Sequence, residues 1–155
     1  MSRRELARRS SELRSAGGRL VLTNGCFDLL HVGHIRYLQQ ARQLGDALAV
    51  GINSDASVRR IKGPGRPVTP QDERAEIVAA LECVDFVCLF DEETAADLVA
   101  EIRPAVYAKG GDYSSRQDDE NFPVEGHVAH AYGGEVRILD LVPGHSTSAL
   151  LELLD

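Results

Sequence analysis

Apolar residues along this chain fall into two spacings that take turns. Short apolar runs at 20–23, 47–52, 86–90 and 106–108, and the segment 135–139, read as strands, and the run at 47–52 is nearly continuous, as in a strand buried on both faces. Between them the apolar residues recur every three or four positions. The segment 32–44 sets Ile35, Leu38 and Ala41 on one helix face and is closed by Gly45. Thr69-Pro70-Gln71-Asp72 predicts a helix start with a capping hydroxyl, proline at the first helical position and an acid in the first turn; Ala75, Val78 and Leu81 form its buried stripe. Asp55 is expected to cap a short helix ending near Lys62. Further helices are expected at 94–103, stopped by Pro104, at 124–132, ended by Gly133-Gly134, and from Ser146 onward with Leu150, Leu151, Leu153 and Leu154 inward. At the N-terminus, Leu6 and Leu13 turn inward from a solvated amphipathic helix.

Strands alternating with helices imply an α/β fold: a single doubly wound parallel sheet with helices on both faces. The expected layout is one domain over 1–155, with an N-terminal helix in 1–18 and an α/β core in 19–155. Residues 62–67 hold two prolines and two glycines and exclude regular structure. The polar stretch 112–123 reads as a mobile loop. In such sheets ligands bind beyond the carboxyl ends of the strands, where the strand order reverses. The turns holding His31 and His34, Asn53-Ser54-Asp55, and Lys109-Gly110-Gly111-Asp112 all fall on that edge.

A net charge of −7 argues against sequence-independent nucleic-acid binding, while leaving room for locally positive groups around a phosphate. No apolar stretch approaches a membrane span, and no apolar region follows the N-terminal arginines as a secretory signal requires. Cys26, Cys83 and Cys88 are odd in number and form no Cys-x-x-Cys pair, so no disulfide framework or zinc site is indicated. Cys83 and Cys88 are expected in the core, and the composition fits a reducing cytoplasm.

The chemistry concentrates in Thr23-Asn24-Gly25-Cys26-Phe27-Asp28-Leu29-Leu30-His31-Val32-Gly33-His34, a strand, a turn and a helix start in succession. A helix N-terminus offers free N–H groups and the positive end of the helix dipole to an anion, and Gly33 lets a phosphate come close to the backbone. The turn therefore reads as a phosphate site with two imidazole donors added. A metal site is disfavoured, because histidine ligands on one helix face usually stand four apart and no third ligand is evident.

These residues resemble the signature of the nucleotidylyltransferase superfamily. With Lys62-Gly63, Arg66-Pro67-Val68, Lys109-Gly110-Gly111-Asp112-Tyr113 and Gly133-Gly134-Glu135-Val136 they resemble its cytidylyltransferase-like group, in particular the adenylyltransferase domain of the ADP-heptose synthase family. The resemblance implies a cytoplasmic enzyme that joins AMP from ATP to a sugar 1-phosphate, releasing pyrophosphate. His31, His34 and Lys62 would be catalytic. Gly25, Cys26, Phe27, Gly33, Arg74, Lys109, Gly110, Gly111, Asp112, Ser146, Thr147 and Ser148 would hold the nucleotide, and Asn24, Asp28, Asn53 and Asp55 the acceptor. Arg74 reads equally as a surface partner of Asp72 or Glu76, and Ser146 equally as a helix cap. Three adjacent phosphates call for Mg²⁺ or another divalent ion, held mainly by the phosphates with Asp28 or Asp112 as anchor. A homodimer is implied, with no nucleic-acid or membrane partner, and a separate sugar kinase is expected to supply the acceptor. Two alternatives stay open: another phosphorylated acceptor (glycerol 3-phosphate, phosphoethanolamine or FMN) with CTP or ATP, and a non-catalytic nucleotide sensor.

Overall fold

Successive strand residues point to opposite faces, and here both faces are buried. In β1 (Leu20–Gly25), Leu20 and Leu22 join one apolar layer and Val21 the other; in β2 (Ala47–Asn53), Ala47 and Ala49 alternate in the same way with Leu48, Val50 and Ile52. The computed structural model describes residues 1–111 and 113–140. It contains α1 (Arg3–Ser15), α2 (Val32–Arg42), α3 (Asp55–Lys62), α4 (Gln71–Ala79), β3 (Phe86–Phe90), α5 (Ala96–Ile102), β4 (Val106–Gly110), α6 (Val124–Ala131) and β5 (Glu135–Leu139).

The five strands form a parallel sheet in the order β3-β2-β1-β4-β5. Leu6 of α1, Leu98, Val99 and Ile102 of α5 and Ala129 of α6 cover one face, while Tyr37, Leu38 and Ala41 of α2 and Val78 of α4 cover the other. From β1 the chain steps outward through β2 to β3 and from β4 it steps the other way to β5, which gives this doubly wound arrangement with the order reversing between β1 and β4. The cleft opens there. Gly51 of β2 admits the close approach of α5: a Cβ would lie 2.7 Å from Leu98 Cδ2.

Several helix starts differ from the expectation. Ser54, not Asp55, caps α3, its Oγ accepting the Ser57 N–H at 3.2 Å. Pro70 is the cap position of α4 rather than its first helical residue, and no side chain caps that helix. Thr69 is drawn elsewhere, its N–H donating to Asp28 Oδ1 at 2.9 Å. The stretch 113–123 is irregular but anchored by turn hydrogen bonds and by buried Phe122. Cys88 is buried; Cys83 is only partly so. The helix expected from Ser146 lies outside the described residues.

Candidate functional site

The turn after β1 is shaped by Phe27, whose φ of 49° is left-handed and therefore strained for a non-glycine residue. Its ring packs 5.2 Å from that of His34. His31 is the cap residue of α2, in extended conformation. Its Nδ1 accepts the Gly33 N–H at 3.1 Å, and His34 Nδ1 accepts the His31 N–H at 3.3 Å. The two rings stack with centroids 3.9 Å apart. A ring nitrogen that accepts a hydrogen bond carries no proton, so each neutral imidazole bears its N–H at Nε2. Burial, reinforced by the repulsion that a protonated His31 and the Lys62 ammonium would exert on an imidazolium, pushes His34 down to about 4. Both histidines are thus arranged as donors.

This geometry corrects one expectation. The helix N-terminus does not offer a row of free amides, because the Gly33 N–H is taken by His31 and the His34 N–H by the His31 carbonyl at 3.0 Å. The imidazoles stand between the backbone and any ligand.

A cavity of about 610 Å³ opens at the β1/β4 edge, within the size range of small-molecule sites. It is lined by Asn24 and Gly25 at the end of β1, by Cys26, Phe27 and His31 in the turn that follows, by Gly33 and His34 in the first turn of α2, by Asn53 at the end of β2, by Lys62 at the end of α3, by Lys109 and Gly110 at the end of β4 and by Tyr113 beyond it. The Lys109 ammonium is 3.8 Å from Glu125 Oε2 and 4.9 Å from the Tyr113 ring centroid. Asn24 Oδ1 accepts from the Tyr107 hydroxyl, and Asn53 Nδ2 donates to Ser57 Oγ at 2.9 Å. Burial pushes the Cys26 thiol up, away from nucleophilic thiolate chemistry.

Three expected site residues are instead engaged within the protein. Arg74 is 1 % exposed and donates to the carbonyls of Thr69, Cys26 and Asn53 and to Asp55 Oδ1, at 2.6–2.8 Å. It neither lines the cavity nor pairs on the surface with Asp72 or Glu76; it ties together the loops behind the site. Asp55 is its partner and is likewise outside the cavity lining. Asp28 accepts from Arg66 Nε and the Val68 N–H at 2.8 Å and from the Thr69 N–H at 2.9 Å, so both its oxygens are occupied. That engagement leaves Asp28 poorly placed to bind an acceptor or anchor a metal ion. Gly111 has φ 103° and follows β4 without lining the cavity. Asp112, Ser146, Thr147 and Ser148 lie outside the described residues.

Tyr37, Phe122 and Glu125 also line the cavity, and the sequence did not single them out. Tyr37 falls in the helix expected at 32–44 and Phe122 in the polar stretch 112–123, neither within a recognised motif, and an acid in a first helical turn reads as a helix signal, which hid Glu125.

A family model described as cytidylyltransferase-like matches residues 22–138. Proteins named bifunctional protein HldE are similar: that of Geobacter sulfurreducens is 51% identical over 139 residues, covering 90% of this chain and 27% of its own. That of Methylococcus capsulatus is 54% identical over 143 residues, covering 92% and 29%. The chain therefore spans a little over a quarter of these relatives' length. A lipopolysaccharide core biosynthesis protein from Thermoplasma volcanium, known as a crystal structure, superimposes with a TM-score of 0.63 at 30% identity, over 81% of this chain and 98% of that one.

Proposed function

This chain belongs to the cytidylyltransferase-like family, and from that premise we propose that it transfers the adenylyl group of ATP to a heptose 1-phosphate. A sugar-phosphate oxygen bonds to the α-phosphorus as the bond to the bridging β-phosphate oxygen breaks, giving ADP-heptose and pyrophosphate. The attacking phosphate is already an anion, so no base is needed. The demand is for positioning and for stabilising charge on the phosphoryl oxygens.

The observation that carries this reading is the reciprocal cap of His31 and His34, which fixes both rings as Nε2–H donors beside Lys62. Lys62 supplies a mobile charge. Asn24 and Asn53 are proposed to meet acceptor hydroxyls. Gly110 and Lys109 would border the nucleotide, together with Asp112 and Ser146-Thr147-Ser148.

With Lys109 partly offset by Glu125, the triphosphate outweighs the cations around it. Mg²⁺ held mainly by the phosphates would supply the missing charge compensation. We further propose that residues 1–155 act as one domain, as a cytoplasmic homodimer fed by a sugar kinase and serving cell-surface carbohydrate synthesis.

The test is pyrophosphate release with ATP, GTP, CTP and UTP against a panel of sugar 1-phosphates, glycerol 3-phosphate, phosphoethanolamine and FMN. ATP with heptose 1-phosphate should give the highest kcat/KM. A preference for CTP or for a non-sugar acceptor would overturn the assignment.

A further inference from the structure

Glu125 is the buried charge on the cavity wall that phosphate transfer leaves without a role. It is 4 % exposed and stands in the first turn of α6. Its Oε2 accepts the Ala95 N–H at 3.1 Å and lies 3.8 Å from Lys109 Nζ. A buried carboxylate is tolerated only when paired and hydrogen-bonded, and both of these contacts fall on one oxygen. An ionised carboxylate has about four acceptor positions, so Glu125 has capacity for further donors. A phosphate is repelled from it. The paired Lys109 cancels most of the charge that this wall presents to the cavity, and the neighbouring Tyr107 hydroxyl, which donates to Asn24, also lies close enough to interact with Glu125. A wall with a strong acceptor and little net charge suits neutral hydroxyl donors. The two oxygens of a carboxylate match the fork of two adjacent hydroxyls.

We propose that Glu125 is a specificity-determining residue that accepts hydrogen bonds from a vicinal diol of a sugar ring held in the cavity. The diol belongs either to the ribose of the nucleotide or to the ring of the acceptor sugar. The inference rests on the nucleotidyl-transfer reading, which brings both rings to this site. A purely structural role would instead limit Glu125 to joining α5 and α6 through Ala95.

Equilibrium binding separates these roles without turnover. Dissociation constants are measured by calorimetry for Mg·ATP and its 2′- and 3′-deoxy analogues, and for heptose 1-phosphate and its ring-deoxy analogues. The proteins are wild type, Glu125→Gln, which keeps an oxygen for the Ala95 N–H, and Glu125→Asp, which keeps the charge but withdraws it by one methylene. Wild type should bind one deoxy analogue about 10- to 100-fold more weakly than its parent, the loss expected when a charged acceptor loses its donor. Both variants should bind parent and analogue nearly alike, and the arm in which this occurs identifies the ring. Equal discrimination by all three proteins, or none by wild type, overturns the proposal. Discrimination by wild type and its loss in the variants, without pyrophosphate release, would leave Glu125 assigned and remove the transferase reading.

Discussion

Two polar clusters meet at the turn after β1, at the carboxyl edge of the sheet. His31 and His34 each turn one ring nitrogen to the backbone and keep an N–H on the other, beside a cavity. Asp28, Arg66 and Arg74 direct their hydrogen bonds to the loops around them, and none of the three lines that cavity. Residue type does not separate the clusters, since an arginine and an aspartate are as suited to phosphates and sugars as two histidines. What separates them is where their hydrogen-bonding capacity is satisfied. The first cluster should govern rate and the second stability.

The largest effect is expected at the histidines. His34→Ala should lower kcat/KM about 10²- to 10³-fold, the loss typical of one donor to a developing oxyanion. Its melting temperature should move only as far as a lost cap dictates, about 1 kcal/mol. His31→Ala should behave similarly, and His31→Asn should recover part of both losses, because asparagine caps helices well and offers a donor. The double alanine variant should lose less than the product of the singles, as both act on one transition state. Steady-state kinetics with thermal melts on all four checks this; wild-type rates in either alanine variant would merge the two clusters.

Arg74→Met should show the reverse pattern. Losing the guanidinium strands the Thr69, Cys26 and Asn53 carbonyls together with Asp55, at a cost of about 3 kcal/mol or more in denaturant unfolding. Arg74→Lys should not restore it, because an ammonium cannot span the same fork. A stable Arg74→Met protein with a collapsed rate would return Arg74 to the phosphates.

The acid response sharpens the contrast further. Burial alone would raise the Asp28 carboxyl, but the Thr69 N–H, Arg66 and the Val68 N–H outweigh it and hold it below its usual value. A depressed carboxylate contributes stability above its unfolded pKa of about 3.9 and loses it as pH falls through the folded value. Asp28→Asn should therefore be less stable than wild type by about 1–3 kcal/mol near neutrality, with the gap closing below about pH 4. Unfolding curves across pH 2–7 would show it; a gap independent of pH would contradict the clamp.

Much of this was legible in the chain because it depends on local pattern. The run 135–139 is β5 to the residue, and Leu6 faces inward from α1 as its spacing requires. The histidine turn was legible for the same reason: strand, turn and helix start are contiguous. The role of Arg74 was not, because its partners at Cys26 and Asn53 are 48 and 21 residues away and are carbonyls, which every residue possesses. Asp28 was misread similarly, since its partners Arg66, Val68 and Thr69 come from a loop about 40 residues on. Ser54 was passed over beside a more conspicuous acid. Contacts across loops select among residue types that sequence pattern treats as equivalent.

The account turns on which nitrogen of each histidine holds the proton, and ¹⁵N–¹H correlation of the imidazole rings in the ligand-free protein reports that directly. At pH 7 both His31 and His34 should show a protonated Nε2 and an unprotonated Nδ1. His34 should keep that state as pH falls until about 4. Unfolded imidazoles gain protons near 6.5, so this ring withdraws stability progressively between those values, a slope that His34→Ala should flatten. A proton on Nδ1 of either ring at pH 7, or an imidazolium at His34 near pH 6, would contradict the reciprocal cap and with it the assignment of the pair as phosphate donors.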